Sequence, residues 1–506
     1  MSKIPRKTFS AVFVALLLAS GSCNRADGPG NLVPDIPSNA PDYMCTWNIQ
    51  GFVHDQEGPE RFREAMTEDY IFGDGKYENW ISFFPSIRED LYFVMDDSWD
   101  IPADVNNGGN EYLGTVELDQ TRFPSFTGTP QERLSKLTQK IKDMGWKGAG
   151  GWICAQKSDR YPDVPEEDFW TDRLKAAAEA GFSYWKVDWG HNQRNEQWRK
   201  MLTSLGKEHA PDLWIEHAME FEYVEFSDVF RTYDVENVIA QPLTIRRVSE
   251  MLEYKAQDGV KGIINCEDEP YIAAGLGCAI GIMRHPIDGP TPSGLKDNAF
   301  PPVGHNYKKC LDEVVRGVRW HRIAEPFGVN DDGQCDSTIL EDYWIYTERD
   351  SWVDREEGSV MREEAPAIVS RAMPLPEVSD DSSDRPYILA STYPNGAVAV
   401  AAIGRALGRE YVTKEVDVTV KGSEWDAPVG LFGYFKSVTV EYLSDAPAKA
   451  RIWAQDLAGD TPVEITDEVK IDGNKITISG DVIKRVGLMN ASEGDLSAPG
   501  LVLKVF

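Results

Sequence analysis

The chain has 506 residues, 42% of them apolar, and a formal net charge of −31. That length provides for two or three domains, or for one large barrel with an appended domain. The charge argues against nucleic acid, polyanions and acidic membrane surfaces as primary partners and suits a soluble domain with a neutral or basic ligand.

Residues 1–23 read as a targeting segment. Lys3, Arg6 and Lys7 form a basic start, Phe9 to Ser20 is mostly apolar or small, and Gly21-Ser22-Cys23 closes it. The apolar run is too short to span a bilayer. Small residues followed by Cys resemble a bacterial lipoprotein cleavage site with Cys23 as the lipidated residue, although Ser20 stands where an aliphatic residue is commonest. On this reading the protein is exported to the periplasm or outer membrane of a bacterium and meets the membrane only through a lipid on Cys23. Residues 24–42, rich in Gly, Pro, Asn and Asp, read as a flexible tether. Six further cysteines follow. In an exported chain they permit disulfides, their wide spacing shows no metal signature, and those in apolar runs suit free, buried thiols equally well.

From Met44 the pattern is strand, loop, helix, repeated. Strand-like runs are Met44–Phe52, Asp90–Asp96, Gly148–Ala155, Phe182–Asp188, Leu213–His217, Val229–Tyr233, Gly259–Asn265 and Pro326–Asn330. The clearest helical patterns between them are Pro130–Met144, Glu167–Ala180, Asn195–His209, Leu243–Gln257 and Tyr307–Ile323. This alternation predicts an α/β fold, a closed (β/α)₈ TIM barrel over residues 43–345. An open doubly wound sheet is the alternative, but no glycine-rich phosphate loop follows an early strand. Residues 267–306 form a long connection whose apolar run, Tyr271–Met283, suits a helix. Past residue 345 short alternating strands separated by turn residues predict an antiparallel β-sandwich over 346–506.

Barrel chemistry sits at the C-terminal ends of the strands. Read in order, those ends carry Trp47 and Asn48, Asp96 and Asp97, Trp152, Lys186 and Asp188, Glu216 and His217, Arg231 and Asp234, Asn265, Glu267 and Asp268, then Asn330 and Asp331. Any one of them could cap the following helix; a ring of them around one mouth calls for another explanation. Within Phe182–Gly190, Lys186 and Asp188 are two apart and share a strand face. A buried ion pair accounts for them; so does a carboxylate held ionised by an ammonium, as a nucleophile would be.

Several segments together resemble the α-galactosidase type of glycoside hydrolase, the (β/α)₈ barrel clan that includes α-N-acetylgalactosaminidases. Thr46-Trp47-Asn48 resembles its first-strand segment, and Asp96-Asp97-Ser98-Trp99 its DDxW. Arg122-Phe123-Pro124 and Gly145 to Gly148 resemble the loop and entry to its third strand. Tyr184-Trp185-Lys186-Val187-Asp188 matches its YxKxD nucleophile strand, Arg231 to Asp234 resembles its acid/base strand, and Glu325 to Gly328 its eighth. The resemblance implies a nucleophile at Asp188, an acid/base at Asp234, and sugar contacts from Trp47, Asp96, Asp97, Trp152, Lys186, Glu216, Arg231 and Asp268. Only Thr232 and Tyr233 separate Arg231 from Asp234, one residue fewer than the family's usual spacing, so Glu236 is a rival acid.

Retaining cleavage of a glycoside needs two carboxyls about 5–5.5 Å apart, one ionised and one protonated, and no metal or organic cofactor. The expected substrate is a carbohydrate with a terminal α-linked sugar. A glycan-binding barrel without hydrolytic activity, a glycosidase for N-acetylgalactosamine or a pentopyranose, and a structural surface lipoprotein are the other readings.

Overall fold

A computed structural model describes residues 28–105, 111–233, 239–294, 305–349 and 355–506. Eight parallel strands close a barrel: β1 Tyr43–Cys45, β2 Tyr92–Met95, β3 Gly148–Ile153, β4 Phe182–Val187, β5 Trp214–His217, β6 Val229–Arg231, β7 Ile263–Glu267 and β8 Ala279–Ile282. Each pairs with its sequence neighbour, and β8 pairs with β1 to close the ring.

Side-chain alternation divides every strand between two environments. On β4, Trp185 and Val187 pack outward into the large core shared with the helices. Tyr184 turns inward to Tyr43, Tyr92, Val94 and Cys45. The next inward positions, Lys186 and Asp188, emerge at the mouth above this apolar plug. The helix Pro130–Asp143 shows how the covering layer is specified. Thr129 accepts from the Glu132 N–H, Glu132 reaches back to the Thr129 N–H, and Pro130 fills the first turn, a capping box that satisfies otherwise orphaned donors.

The eighth strand is not Pro326–Asn330. That segment runs at the barrel's edge, where Val329 N–H donates to the Gly262 carbonyl. The strand lies in the apolar run expected as a helix, which divides into a helix, Pro270–Leu276, and β8. Gly277, at φ +65°, makes the break. Both halves are buried throughout, so neither shows the polar face from which a period could be read. Likewise Met44–Phe52 becomes β1 followed by a helix, Trp47–Val53.

The C-terminal strands form an eight-stranded and a five-stranded sheet, with a separate four-stranded sheet beside them. Most pairs are antiparallel, as in a sandwich. Four are parallel, among them Ile368–Arg371 with Tyr387–Thr392. The large sheet lies over the helix Pro270–Leu276, and Tyr393 Oη donates to the Ala274 carbonyl at 2.7 Å. Residues 28–42, expected within the tether, are laid against the folded body. Leu32 N–H donates to Gln455 at 2.7 Å, Ser38 N–H to Asp90 at 2.8 Å, and Asp42 meets His321 at 2.6 Å. Cys23 lies outside the described residues. Among the described residues the six cysteines are free thiols, Cys335 exposed and the others buried. No described helix is long and apolar enough to cross a membrane.

Candidate active site

The barrel mouth opens into a pocket of about 520 Å³. It is lined by Trp47, Asp96, Asp97, Trp152, Lys186, Asp188, Trp189, Tyr233, Glu267 and Met283. Seven of these, Trp47, Asp96, Asp97, Trp152, Lys186, Asp188 and Glu267, stand in the ring of strand-end residues read from the sequence.

Asp188 follows β4, and both of its carboxylate oxygens are held. Trp152 Nε1 donates to one at 2.9 Å, and Arg231 donates to the other at 2.5 Å. Its backbone is held as well. Asp188 N–H donates to the Ile153 carbonyl, and Arg199 donates to the Asp188 carbonyl at 2.8 Å. Arg199 in turn meets His217 Nδ1 at 3.0 Å. Burial, with Arg199 and Arg231 nearby, drives the His217 pKa well below the usual imidazole value. His217 is therefore neutral at pH 7 and orients the arginine without adding charge.

Lys186 does not pair with Asp188. It donates to Asp96 at 2.8 Å, and Cys45 Sγ donates to the same oxygen at 2.9 Å. Burial acts to raise the Asp96 pKa; the Lys186 ammonium and the hydrogen bonds from Cys45, Lys186 and the Asp97 N–H together outweigh it and hold the carboxyl below its ordinary range. The expected partnership fails for a geometric reason. Lys186 projects across the barrel toward β2, whereas Asp188, one turn of the pleat higher, lies beside the arginine from β6. Asp97 is held by Arg63 at 2.8 Å and by Ser98.

Arg231 is fully buried and is shared among Asp188, Glu216 at 3.2 Å and Glu267 at 3.6 Å. Glu216 lies beneath the pocket, where Tyr184 Oη donates to it at 2.7 Å. Burial pushes its carboxyl up to about 7 against the pull of Arg231. Glu216 and Arg231 thus support the pocket from below. Asp268 is not at the pocket. It sits in a left-handed turn at φ 52°, and its Oδ1 accepts from the backbone N–H of Met283 and Arg284 and from Arg284 Nε at 3.2 Å. The inward positions of β7 are Asn265 and Glu267, so it is Glu267 that reaches the mouth. Asp234 and Glu236 lie outside the described residues; Tyr233, the residue before Asp234, lines the pocket.

Sequence reasoning named Glu267 only as one of the strand-end residues and did not select Arg63, Cys45, Trp189, Tyr233 or Met283. Strand parity was the available signal for preferring Glu267 to Asp268 and for finding Cys45. Arg63 arrives from a short helical turn after β1, Arg63–Ala65, with no local signal for the pairing.

No family model matches the chain, and no curated protein matches it in sequence. Similar solved structures include α-galactosidase I of Mortierella vinacea, 12% identical over 92% of this chain and 96% of that one, with a TM-score of 0.43. The Saccharomyces cerevisiae α-galactosidase is 8% identical over 93% and 97%, with a TM-score of 0.36. An α-amylase of Geobacillus thermoleovorans in complex with acarbose is 10% identical over 92% and 98%, with a TM-score of 0.40. Likenesses of this size decide nothing about chemistry, which stands on the residues of the mouth.

Proposed function

We propose that this chain is a retaining α-glycosidase of the α-galactosidase type that removes terminal α-linked sugars from glycans. One observation carries the reading. The Asp188 carboxylate stands at the pocket wall with its two oxygens fixed by Trp152 and Arg231, among further carboxylates and an ammonium suited to sugar hydroxyls. A nucleophile must be ionised, oriented and within reach of an anomeric carbon. Arg231 supplies the charge, Trp152 fixes the orientation, and Asp96, Asp97 and Lys186 supply hydrogen-bonding partners for the ring. The pocket is floored by buried side chains, which favours the end of a glycan over its interior. Asp234 is the proposed acid/base, with Glu236 its rival. Attack by Asp188 expels the protonated leaving group and forms a glycosyl ester, which water then opens with the same acid/base accepting its proton. Export, with a lipid on Cys23, belongs to the same proposal.

The test is release of p-nitrophenol from p-nitrophenyl α-D-galactopyranoside and a panel of other α-glycosides. Asp188→Asn is expected to lose roughly a thousandfold or more in kcat while sugar affinity changes little. Replacing the true acid/base among Asp234→Asn and Glu236→Gln should spare substrates whose leaving group needs no proton and slow natural glycosides far more. A folded wild-type protein silent on the whole panel, yet retained on a glycan array, would establish the binding-only barrel instead.

A further inference from the structure

A second cavity, of about 830 Å³, lies between the barrel and the C-terminal sheets. Gln241, Glu269, His305, Cys310, Glu313 and Tyr411 are among its walls, and none of them lines the barrel mouth. His305 Nε2 and Glu313 Oε2 are 2.8 Å apart. One donor atom each from His305, Cys310 and Glu313 fall within 4.8 Å of one another.

We propose that His305, Cys310 and Glu313 form a binding site for a divalent transition-metal ion, with zinc the best match, leaving one coordination position toward this cavity. An imidazole nitrogen, a thiolate and a carboxylate oxygen are the donors zinc takes, at ~2.0–2.3 Å. Tetrahedral bonds of that length set the donor atoms about 3.3–3.8 Å apart. The group therefore meets the ion if the His305–Glu313 pair opens slightly and the thiol closes in, both movements of side-chain ends.

The three positions are built for this. Cys310 stands at the N-terminal boundary of the helix Leu311–His321, Glu313 lies three residues on, and both line the same cavity. Glu313 is anchored by the C-terminal segment: Ser497 Oγ accepts from its N–H at 3.0 Å, and Ala498 N–H donates to its Oε1 at 3.4 Å. The His305 ring stacks on Tyr411 and meets Tyr307 edge-on. A surrounding shell is present as well. Tyr307 Oη and Gln241 Nε2 donate to Glu269, at 3.0 and 3.1 Å, on the same wall. A divalent cation would join Arg284, whose guanidinium already acts on both buried acids, Glu269 and Glu313. A metal takes the thiol as thiolate and the imidazole as its neutral form, so it displaces the thiol proton and affinity rises with pH.

Cobalt(II) is the probe, added to the full chain after chelator treatment. One equivalent is expected to produce a thiolate-to-cobalt charge-transfer band, which zinc then abolishes. Cys310→Ser should lack the band, and His305→Ala should bind zinc at least ~100-fold more weakly by calorimetry. A wild-type protein with no band at saturating cobalt overturns the proposal whatever the variants do. So does zinc binding of equal stoichiometry and affinity in wild type and Cys310→Ser, which would leave His305–Glu313 as an ordinary ion pair.

Discussion

Two buried charge groups organise the mouth residue by residue. Lys186 serves Asp96, and Arg231 serves Asp188, Glu216 and Glu267. Removing one partner of a buried pair strands the other charge, at a cost of about 3–5 kcal/mol. Lys186→Met is therefore expected to lower stability in urea by roughly that amount. Adding Asp96→Asn should restore much of the stability without restoring turnover, and full activity in Lys186→Met would exclude its role at the pocket. Asp100 gives a pH prediction. It follows the DDxW segment, Val116 N–H donates to it at 2.8 Å, and burial pushes its carboxyl up to about 7 from an ordinary 3.8. Between those values the folded chain holds a proton that the unfolded chain has released, so this group's contribution to stability falls as pH rises through the window. Asp100→Asn removes the titration. The stability difference between variant and wild type should move in the variant's favour by about 2–3 kcal/mol from pH 5 to pH 8, whatever constant offset the swap brings. A difference independent of pH would show that Asp100 is not protonated in the fold.

Among the elements, the junction of β3 and β4 sets the nucleophile's position. Trp152 and Asp188 touch because the two strand ends stay paired beyond the sheet: Ala155 N–H donates to the Trp189 carbonyl, and Asn192 N–H to the Ala155 carbonyl, both at 2.8 Å. Gly190 makes this approach possible. Its φ is +143°, and an added Cβ would stand 2.8 Å from the Ala155 backbone. Gly190→Ala should part the strand ends, cost about 1–3 kcal/mol and reduce kcat/KM roughly 10–100-fold by shifting Asp188 against its substrate. Wild-type kinetics in that variant would mean that the strand-end contact is dispensable.

For the whole molecule, the barrel and the C-terminal sheets share one interior. Arg371 donates to four carbonyls, those of Leu276, Gly277, Phe327 and Gly328. Arg316 pairs with Asp456 at 2.9 Å, and Tyr271 Oη donates to the Ala498 carbonyl at 2.8 Å. Every residue of the helix Pro270–Leu276 is buried, so a chain ending at Asn330 would expose an apolar helix and is expected to aggregate. The intact protein should unfold in one calorimetric transition. Two separated transitions would show that the barrel is stable alone.

The sequence by itself determined the barrel, the appended β-rich region and most of the ring of residues at the mouth. Those features are written in local periods: alternating strands, amphipathic helices, and polar residues where an apolar run stops. Tertiary structure decided what has no local period. It placed β8 inside an all-apolar run, since a segment buried on every side carries no polar face to read. It assigned Lys186 to Asp96 and Arg231 to Asp188, because partners across a barrel are set by strand tilt and stagger. It put Glu267 at the pocket in place of Asp268, which a left-handed turn carries away. It also brought His305, Cys310 and Glu313 to one wall, a grouping that depends on the C-terminal segment anchoring a barrel helix. Each of these depends on distances between residues far apart in the chain, which only the folded molecule specifies.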